Sequence, residues 1–157
     1  MRPTWDEYFM DIMHAVAKRA TCNRGRVGCV VVKNKRILVT GYVGAPKGLP
    51  HCDEVDHDLK EVKHRDGRIT KHCQRTVHAE MNAICQAAAN GISISGSTVY
   101  CSMTPCRVCT MMLINCGVER VICEKRYHDG ADSERMFKDA GIDLIHMTGE
   151  TVNYLDQ

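Results

Sequence analysis

The sequence has few aromatic residues, few prolines and almost no net charge. Its 157 residues include one Trp, two Phe and five Tyr, and the formal net charge is +2 at pH 7. A protein that binds single-stranded nucleic acid without sequence preference usually offers a basic groove lined by aromatic side chains. The composition therefore disfavours nucleic acid as a partner. The four prolines stand at positions 3, 46, 50 and 105.

Long apolar runs are also missing. No stretch approaches the roughly 20 apolar residues that a membrane-spanning helix needs. Residues 1–7 lack the basic-then-apolar order of a secretory signal. The length suits one domain with a substantial core and is short for two. We therefore expect a single cytoplasmic domain over residues 1–157, with no membrane partner.

Cysteine, in contrast, is abundant, with ten residues. In a cytosolic protein they need a use other than disulfide bonds. Five lie in apolar stretches and are predicted to be small buried hydrophobic residues: Cys29, Cys85, Cys101, Cys116 and Cys123. Three lie in polar, turn-like sequence where a packing role is harder to argue: Cys22, Cys52 and Cys73. The remaining two form a Cys-x-x-Cys pair.

The hydrophobic periodicity predicts alternating helices and strands around one polar insert. Helices are predicted at about residues 4–20, 78–90, 105–116 and 132–140. Strands are predicted at about residues 27–32, 36–43, 97–101, 118–123 and 142–147, the first two forming a hairpin. This order predicts an α/β fold in which a mixed five-stranded sheet carries helices on both faces.

The motif His78-Ala79-Glu80, followed by Pro105-Cys106-Arg107-Val108-Cys109, carries the strongest chemical signal. One histidine and two cysteines can hold a tetrahedral zinc ion and leave its fourth position open. Cys106 and Cys109 lie one turn apart at the start of a predicted helix, where the dipole favours thiolates. His78 also opens a predicted helix, so all three side chains can converge on one ion.

Glu80 is predicted to carry protons rather than to bind the metal. An open zinc position acidifies a bound water. A nearby carboxylate can move protons from water to a ring nitrogen and then to a departing amine. The order His-x-Glu followed by Pro-Cys-x-x-Cys is the signature of zinc-dependent nucleobase deaminases. The motif therefore predicts a hydrolytic deamination that releases ammonia.

Other interpretations of the same residues stay open at this point. A thioredoxin-like redox site also uses Cys-x-x-Cys, but that fold places a later proline beside it, and no proline follows position 105. A closed structural zinc site is another interpretation, but such a site normally has four protein ligands, whereas this motif supplies three and a carboxylate. A base-flipping deaminase that acts on cytosine or adenine in nucleic acid shares the chemistry. A non-catalytic, zinc-stapled binding module has no need of Glu80.

From about Trp5 to Met147 the chain resembles the cytidine and deoxycytidylate deaminase family, and within it the deoxycytidylate branch. Besides the metal motif, the resemblance rests on four segments: Val27-Gly28-Cys29-Val30-Val31, residues 41–48, His51-Cys52-Asp53-Glu54 and residues 72–83. It implies a three-layer α/β/α fold and the cytosolic conversion of dCMP to dUMP. It also implies a homo-oligomer, with a hexamer favoured, that dCTP activates and dTTP with Mg²⁺ inhibits.

The resemblance also implies contacts with the nucleotide. The backbone N–H of Ala79 is expected to hold the pyrimidine carbonyl. The family's Gly-Tyr-Asn-Gly carries an asparagine that contacts the sugar, and this chain has Val43 there. Valine cannot make that hydrogen bond. Discrimination between sugars is therefore relaxed, or another residue recognises the sugar, or the chain belongs to a branch with a different substrate. The phosphate is expected to meet positive charge or backbone N–H groups near the mouth of the pocket. The candidate residues are Arg24, Arg26, Lys47 and Tyr127, the last matching a pocket tyrosine of related enzymes.

The polar insert at about residues 51–76 is expected to be stapled by a second, structural zinc ion. A loop of this length without regular structure usually needs a restraint. The proposed ligands are Cys22, Cys52, His57 and Cys73, with His72 as the substitute for His57. Some members of the resembled family have such a zinc near this place. The alternative is that these cysteines are free and the histidines solvated.

Overall fold

A mixed sheet with helices on both faces organises the chain, of which the computed structural model describes residues 1–154. The helices are α1 (Trp5–Ala17), α2 (Cys52–Val55), α3 (Ala79–Asn90), α4 (Arg107–Asn115) and α5 (Ala131–Asp139). The strands are β1 (Gly28–Lys33), β2 (Arg36–Tyr42), β3 (Leu59–Lys63), β4 (Ile69–Cys73), β5 (Thr98–Met103), β6 (Arg120–Tyr127), β7 (Asp143–His146) and β8 (Thr151–Val152).

The main sheet has the order β2-β1-β5-β6-β7. Strand β1 is antiparallel to both β2 and β5, whereas β5, β6 and β7 run parallel. The predicted mixed sheet and α/β class are therefore confirmed. In the described part of the chain the sheet has six strands rather than five, because β8 pairs in parallel with the end of β6.

One face of the sheet is covered by α1. The side chains of Phe9 and Met13 pack there against Val30 of β1 and Ile122 of β6, and all four are buried. Helix α1 begins with a capping box in which Thr4 and Glu7 satisfy each other's backbone N–H groups.

The opposite face is covered by α3, α4 and α5. Its core includes Ala83 of α3, Leu113 of α4 and Phe137 of α5, which are almost completely buried. Helix α3 packs unusually close to β2, because a Cβ atom placed on Gly41 would lie 2.2 Å from the Ala79 carbonyl oxygen. This close approach fixes the N-terminal end of α3 against the sheet.

Three sequence predictions are corrected by the structure. The insert at residues 51–76 is not irregular: it contains the short helix α2 and a two-stranded hairpin formed by β3 and β4. Cys85 is exposed and Cys116 is half-buried, because α3 turns Ala83 and Ala87 inwards instead and α4 does the same with Leu113.

Within the described residues, no helix combines the length and the apolar character needed to cross a membrane.

Candidate active site

His78, Cys106 and Cys109, which the sequence predicted as metal ligands, meet between two helix N-termini. His78 is the N-cap of α3 and Cys106 is the N-cap of α4. The His78 Nδ1 atom lies 3.4 Å from the Cys106 Sγ atom and 3.5 Å from the Cys109 Sγ atom. Ordinary zinc–nitrogen and zinc–sulfur bonds in a tetrahedron separate the ligand atoms by about 3.6 Å. The donor set therefore fits zinc in both chemistry and spacing.

The electrostatics of this cluster favour a thiolate. The pKa of Cys106 is lowered to about 4, first by the hydrogen bond with the Cys109 thiol and then by His78. The hydrogen bond with Cys106 in turn raises the pKa of His78. A thiolate is the form of cysteine that binds metal ions. The cluster is thus prepared for a cation before any ion is bound.

Glu80 lies in the first turn of α3, almost fully buried beside this cluster. Only 4% of the residue is exposed, and burial raises the pKa of its carboxyl group, an effect that the nearby His78 opposes. In the described residues, the group of ligand atoms that fall within 4.8 Å of one another consists of His78, Cys106 and Cys109, without Glu80. A buried carboxyl group with a perturbed pKa next to a metal site suits proton transfer.

A cavity of about 310 Å³ opens onto this cluster. This volume is at the lower end of the range of small-molecule sites. Its wall is mostly apolar, with Val27 and Val43 on one side and Met103 among the other lining residues. The sequence-predicted site residues that line it are Cys22, Arg24, Val43, His72, Cys73, His78, Ala79, Glu80, Cys106 and Tyr127. The site can therefore hold a small ring next to the metal ligands and Glu80.

Two predicted phosphate contacts lie elsewhere. Arg26 and Lys47 are exposed and do not belong to the cavity wall. Arg24 does, and its Nη2 atom donates to the Lys71 carbonyl at 3.0 Å. Its Nε atom is buried and has no hydrogen-bond partner among the described residues. Of the three cations, Arg24 is the one that lines the cavity.

The sequence missed several lining residues, including Thr76, Met103 and Tyr154. Met103 ends strand β5, and the carboxyl end of a parallel strand is the usual place of a site in α/β proteins, so a positional signal existed. Tyr154 follows the last predicted strand by several residues and carries no motif. It reaches the cavity through the pairing of β8 with β6, which no periodicity in so short a strand reveals.

A second cluster joins Cys22, Cys52, His57 and Cys73, whose ligand atoms all lie within 4.8 Å of one another. The Cys22 Sγ atom is 3.6 Å from His57 Nδ1, and the Cys52 and Cys73 Sγ atoms are 3.5 Å apart. These distances again match a tetrahedral zinc ion, for which about 3.6 to 3.8 Å is expected.

The two histidines that the sequence offered for this second cluster have different surroundings. The Nε2 atom of His57 contacts Asn23 Oδ1 at 2.9 Å, so its Nδ1 atom faces the cysteines. The Nε2 atom of His72 instead contacts Thr70 Oγ1 at 2.8 Å, and His72 lines the cavity. His57 is therefore the histidine that the structure brings to the four-residue cluster.

Comparison with known proteins adds an independent observation. The model of the cytidine and deoxycytidylate deaminase zinc-binding region matches residues 3–125. The deoxycytidylate deaminase of Mycobacterium phage D29 is 37% identical over 126 residues, which cover 79% of this chain and 97% of that protein. The deoxycytidylate deaminase of Saccharomyces cerevisiae is 34% identical over 142 residues, 90% of this chain. This chain spans only 44% of the length of that yeast relative.

Among solved structures, the chain is similar to the dCMP deaminase of cyanophage S-TIM5, crystallised in complex with dCMP and dUMP. The TM-score is 0.72 at 27% sequence identity, and the match covers 97% of this chain and 99% of the phage protein. The likeness thus extends over nearly the whole length of both chains.

Proposed function

Because the chain belongs to the cytidine and deoxycytidylate deaminase family, we propose that it hydrolyses dCMP to dUMP and ammonia. The observation that supports this most directly is the three-residue cluster of His78, Cys106 and Cys109 beside the buried carboxyl group of Glu80. The phage relative of similar fold was crystallised with both dCMP and dUMP. The cavity is of a size that suits a single nucleotide base.

In this proposal His78, Cys106 and Cys109 hold the catalytic zinc. Two thiolates and a neutral imidazole balance the charge of the ion and leave one coordination position for water or substrate. When bound, zinc lowers the pKa of water and so supplies a nucleophile near neutral pH. The chain's own contribution is to hold the three ligands at the spacing described and to favour the thiolate form of Cys106.

Glu80 carries the protons. It takes the proton that water loses as its oxygen adds to the amine-bearing ring carbon, and it gives a proton to the adjacent ring nitrogen. It then takes the remaining hydroxyl proton of the tetrahedral adduct and passes it to the departing amine, so that the carbon–nitrogen bond breaks, ammonia leaves and a carbonyl remains. Its burial keeps this transfer away from bulk water. General acid–base help of this kind contributes about a hundred- to ten-thousand-fold in rate.

The ring is held by the start of helix α3. Ala79 is the first residue of α3, so its backbone N–H has no acceptor within the helix. We assign this N–H to the pyrimidine carbonyl. We assign the guanidinium group of Arg24, which lines the cavity, to the phosphate, since charge-assisted hydrogen bonds to phosphate are strong and directional. Val43 contributes apolar wall near the sugar, and Tyr127 lines the cavity beside it.

We also assign a second, structural zinc ion to Cys22, Cys52, His57 and Cys73. The support is the spacing of the four ligand atoms and the burial of Cys22 and Cys52. Although burial raises the pKa of Cys73, hydrogen bonds from the backbone at Asp58 and Arg75 lower it to about 7. A partly ionised thiol is ready to bind a cation. The ion would tie the insert to the loop after α1.

The family resemblance supports three further assignments. The chain acts in the cytoplasm as a homo-oligomer, with a hexamer favoured. It is activated by dCTP and inhibited by dTTP with Mg²⁺. A hyperbolic dependence of rate on dCMP concentration that dTTP does not alter would remove the regulatory assignment and leave the chemistry intact.

The test of the activity is ammonia release from dCMP, CMP, deoxycytidine, dCTP and a cytosine-containing oligonucleotide. We expect dCMP to be turned over far faster than deoxycytidine, because the phosphate contact positions the ring. Activity confined to the oligonucleotide would instead identify a nucleic-acid deaminase.

Glu80→Gln tests the proton carrier. We expect kcat to fall about a hundredfold or more while elemental analysis finds unchanged zinc, because Glu80 is not a ligand. Glu61→Gln, on the exposed strand β3, is the matched control and should leave both quantities unchanged. Loss of zinc in Glu80→Gln, or near-normal turnover, would show that the role is misassigned.

A further inference from the structure

Tyr154 reaches the cavity from a part of the chain that lies beyond the family match, which ends at residue 125. It follows strand β8, and the pairing of β8 with the end of β6 fixes the direction of the chain at this point. Its backbone N–H donates to His128 Nδ1 at 3.5 Å. Its ring packs edge-on against that of Tyr127, with the centroids 6.1 Å apart. The side chain is therefore held in place across the cavity wall.

The Tyr154 hydroxyl lies over Gly25. A Cβ atom on Gly25 would stand 2.9 Å from the Oη atom, so the missing side chain makes room for the phenol. Gly25 follows Arg24 directly, and both residues line the cavity. The phenol and the Arg24 side chain thus belong to the same end of the cavity, where Val27 and Val43 provide only apolar surface.

The donors at this end are poorly satisfied by the protein. Among the described residues, the side-chain acceptor recorded for the Tyr154 hydroxyl is the Met103 thioether at 3.7 Å, and a thioether is a weak acceptor. The Arg24 Nε–H is buried and has no partner in the same part of the chain. A tyrosine that lines a cavity and has only a weak acceptor for its hydroxyl group can donate a hydrogen bond to a ligand there.

We propose that Tyr154 is a substrate-binding residue that selects nucleotides over nucleosides, with its hydroxyl donating to the phosphate beside Arg24. The inference rests on the proposed function, since it concerns the same cavity. Burial raises the pKa of the Tyr154 phenol, so it remains a hydrogen-bond donor at neutral pH. The ring forms part of the cavity wall next to Tyr127.

Tyr154→Phe removes the hydroxyl and keeps the ring. We expect kcat/KM for dCMP to fall about tenfold or more, the usual cost of a lost hydrogen bond to a charged group. For deoxycytidine, which has no phosphate, kcat/KM should change by less than about twofold. Tyr8→Phe, on the exposed side of α1, is the matched control. Equal losses for dCMP and deoxycytidine, or a lowered Tm with no change in selectivity, would overturn the proposal.

Gly25→Ala tests the same contact from the other side. The backbone of Gly25 is not in the left-handed region, so alanine meets no conformational barrier there. Its Cβ must displace the phenol oxygen, and we expect a loss of dCMP selectivity similar to that of Tyr154→Phe. In the Tyr154→Phe background the nearest ring carbon is 3.5 Å away, so the second substitution should add almost nothing. Fully additive losses would contradict the contact.

Equilibrium binding separates this inference from the proposed activity. The ratio of dUMP to deoxyuridine affinity, measured by calorimetry, needs no turnover. If the wild-type chain releases no ammonia from dCMP but this ratio still falls about tenfold in Tyr154→Phe, the activity is wrong and the inference holds. If dCMP is deaminated and the ratio is unchanged, the inference is wrong and the activity holds. If the wild-type chain binds neither nucleotide nor nucleoside, both are wrong.

Discussion

Gly41→Ala should damage catalysis through the backbone, without touching any predicted ligand. Gly41 lies on β2 beneath the first turn of α3, which carries Ala79 and Glu80. A Cβ atom there would stand 2.2 Å from the Ala79 carbonyl oxygen and 2.5 Å from the Ala83 nitrogen. Both contacts are with backbone atoms, so no side-chain rotation can relieve them. The helix must move away from the sheet.

The size of the effect follows from that geometry. Restoring ordinary van der Waals contact requires α3 to shift by roughly 1 Å, and a displacement of this size at a reacting group can cost about a hundredfold in rate. Overpacking of a filled core costs about 1–3 kcal/mol of unfolding free energy. In a domain of this size each kcal/mol lowers Tm by about 2–4 °C. We therefore expect a folded protein of modestly lower Tm and strongly lower kcat.

The assay compares Gly41→Ala with Gly28→Ala. A Cβ on Gly28 would lie 2.7 Å from the Met13 carbonyl oxygen, so this control strains the packing of α1 on the other face of the sheet. Both variants should melt earlier, but only Gly41→Ala should lose about a hundredfold in kcat per folded, zinc-loaded molecule. Wild-type kcat in Gly41→Ala, or equal losses in both variants, would refute the argument.

Three further changes test other parts of the structure. Wild-type protein should carry two zinc ions, and Cys52→Ser should lose one and be cleaved faster by proteases within residues 51–76, because the cross-link is gone. Cys85→Ser, at an exposed cysteine, is the control, and one zinc per wild-type chain would remove the second site. Tyr100→Phe should lower the unfolding free energy by about 1–2 kcal/mol with unchanged kcat, because the buried hydroxyl loses its 2.7 Å hydrogen bond to Asp6; an unchanged Tm contradicts this. A zinc chelator should abolish activity, and added Zn²⁺ but not Mg²⁺ should restore it.

The sequence was sufficient to predict the elements that have a clear hydrophobic pattern and those that begin at the zinc-binding motif. The buried strands β1 and β5 carry continuous apolar runs, and the helices α3 and α4 begin at the motif itself. The hairpin of β3 and β4 escaped prediction because its residues are mostly exposed, so no apolar alternation marks it.

Long-range packing explains what the sequence could not supply. Cys85 lies in an apolar stretch, yet the rotation of α3 against β2 turns it to solvent. Arg24 and Arg26 are only two residues apart in the sequence, and the path of the loop before β1 decides which one reaches the cavity. Tyr154 is brought in by two residue pairs between β6 and β8.

Cys22 and Cys73 belong both to the four-residue cluster and to the wall of the cavity. Bringing them together closes a loop of about fifty residues. Such long-range contacts form slowly, because the chain loses conformational entropy before the contacts contribute any favourable free energy. The contacts of α1 with its cap and of β1 with β2 are local and form early by the same reasoning. In a newly made chain the substrate wall is therefore completed after the surrounding secondary structure. A refolding experiment should find nucleotide binding recovering later than helical circular dichroism.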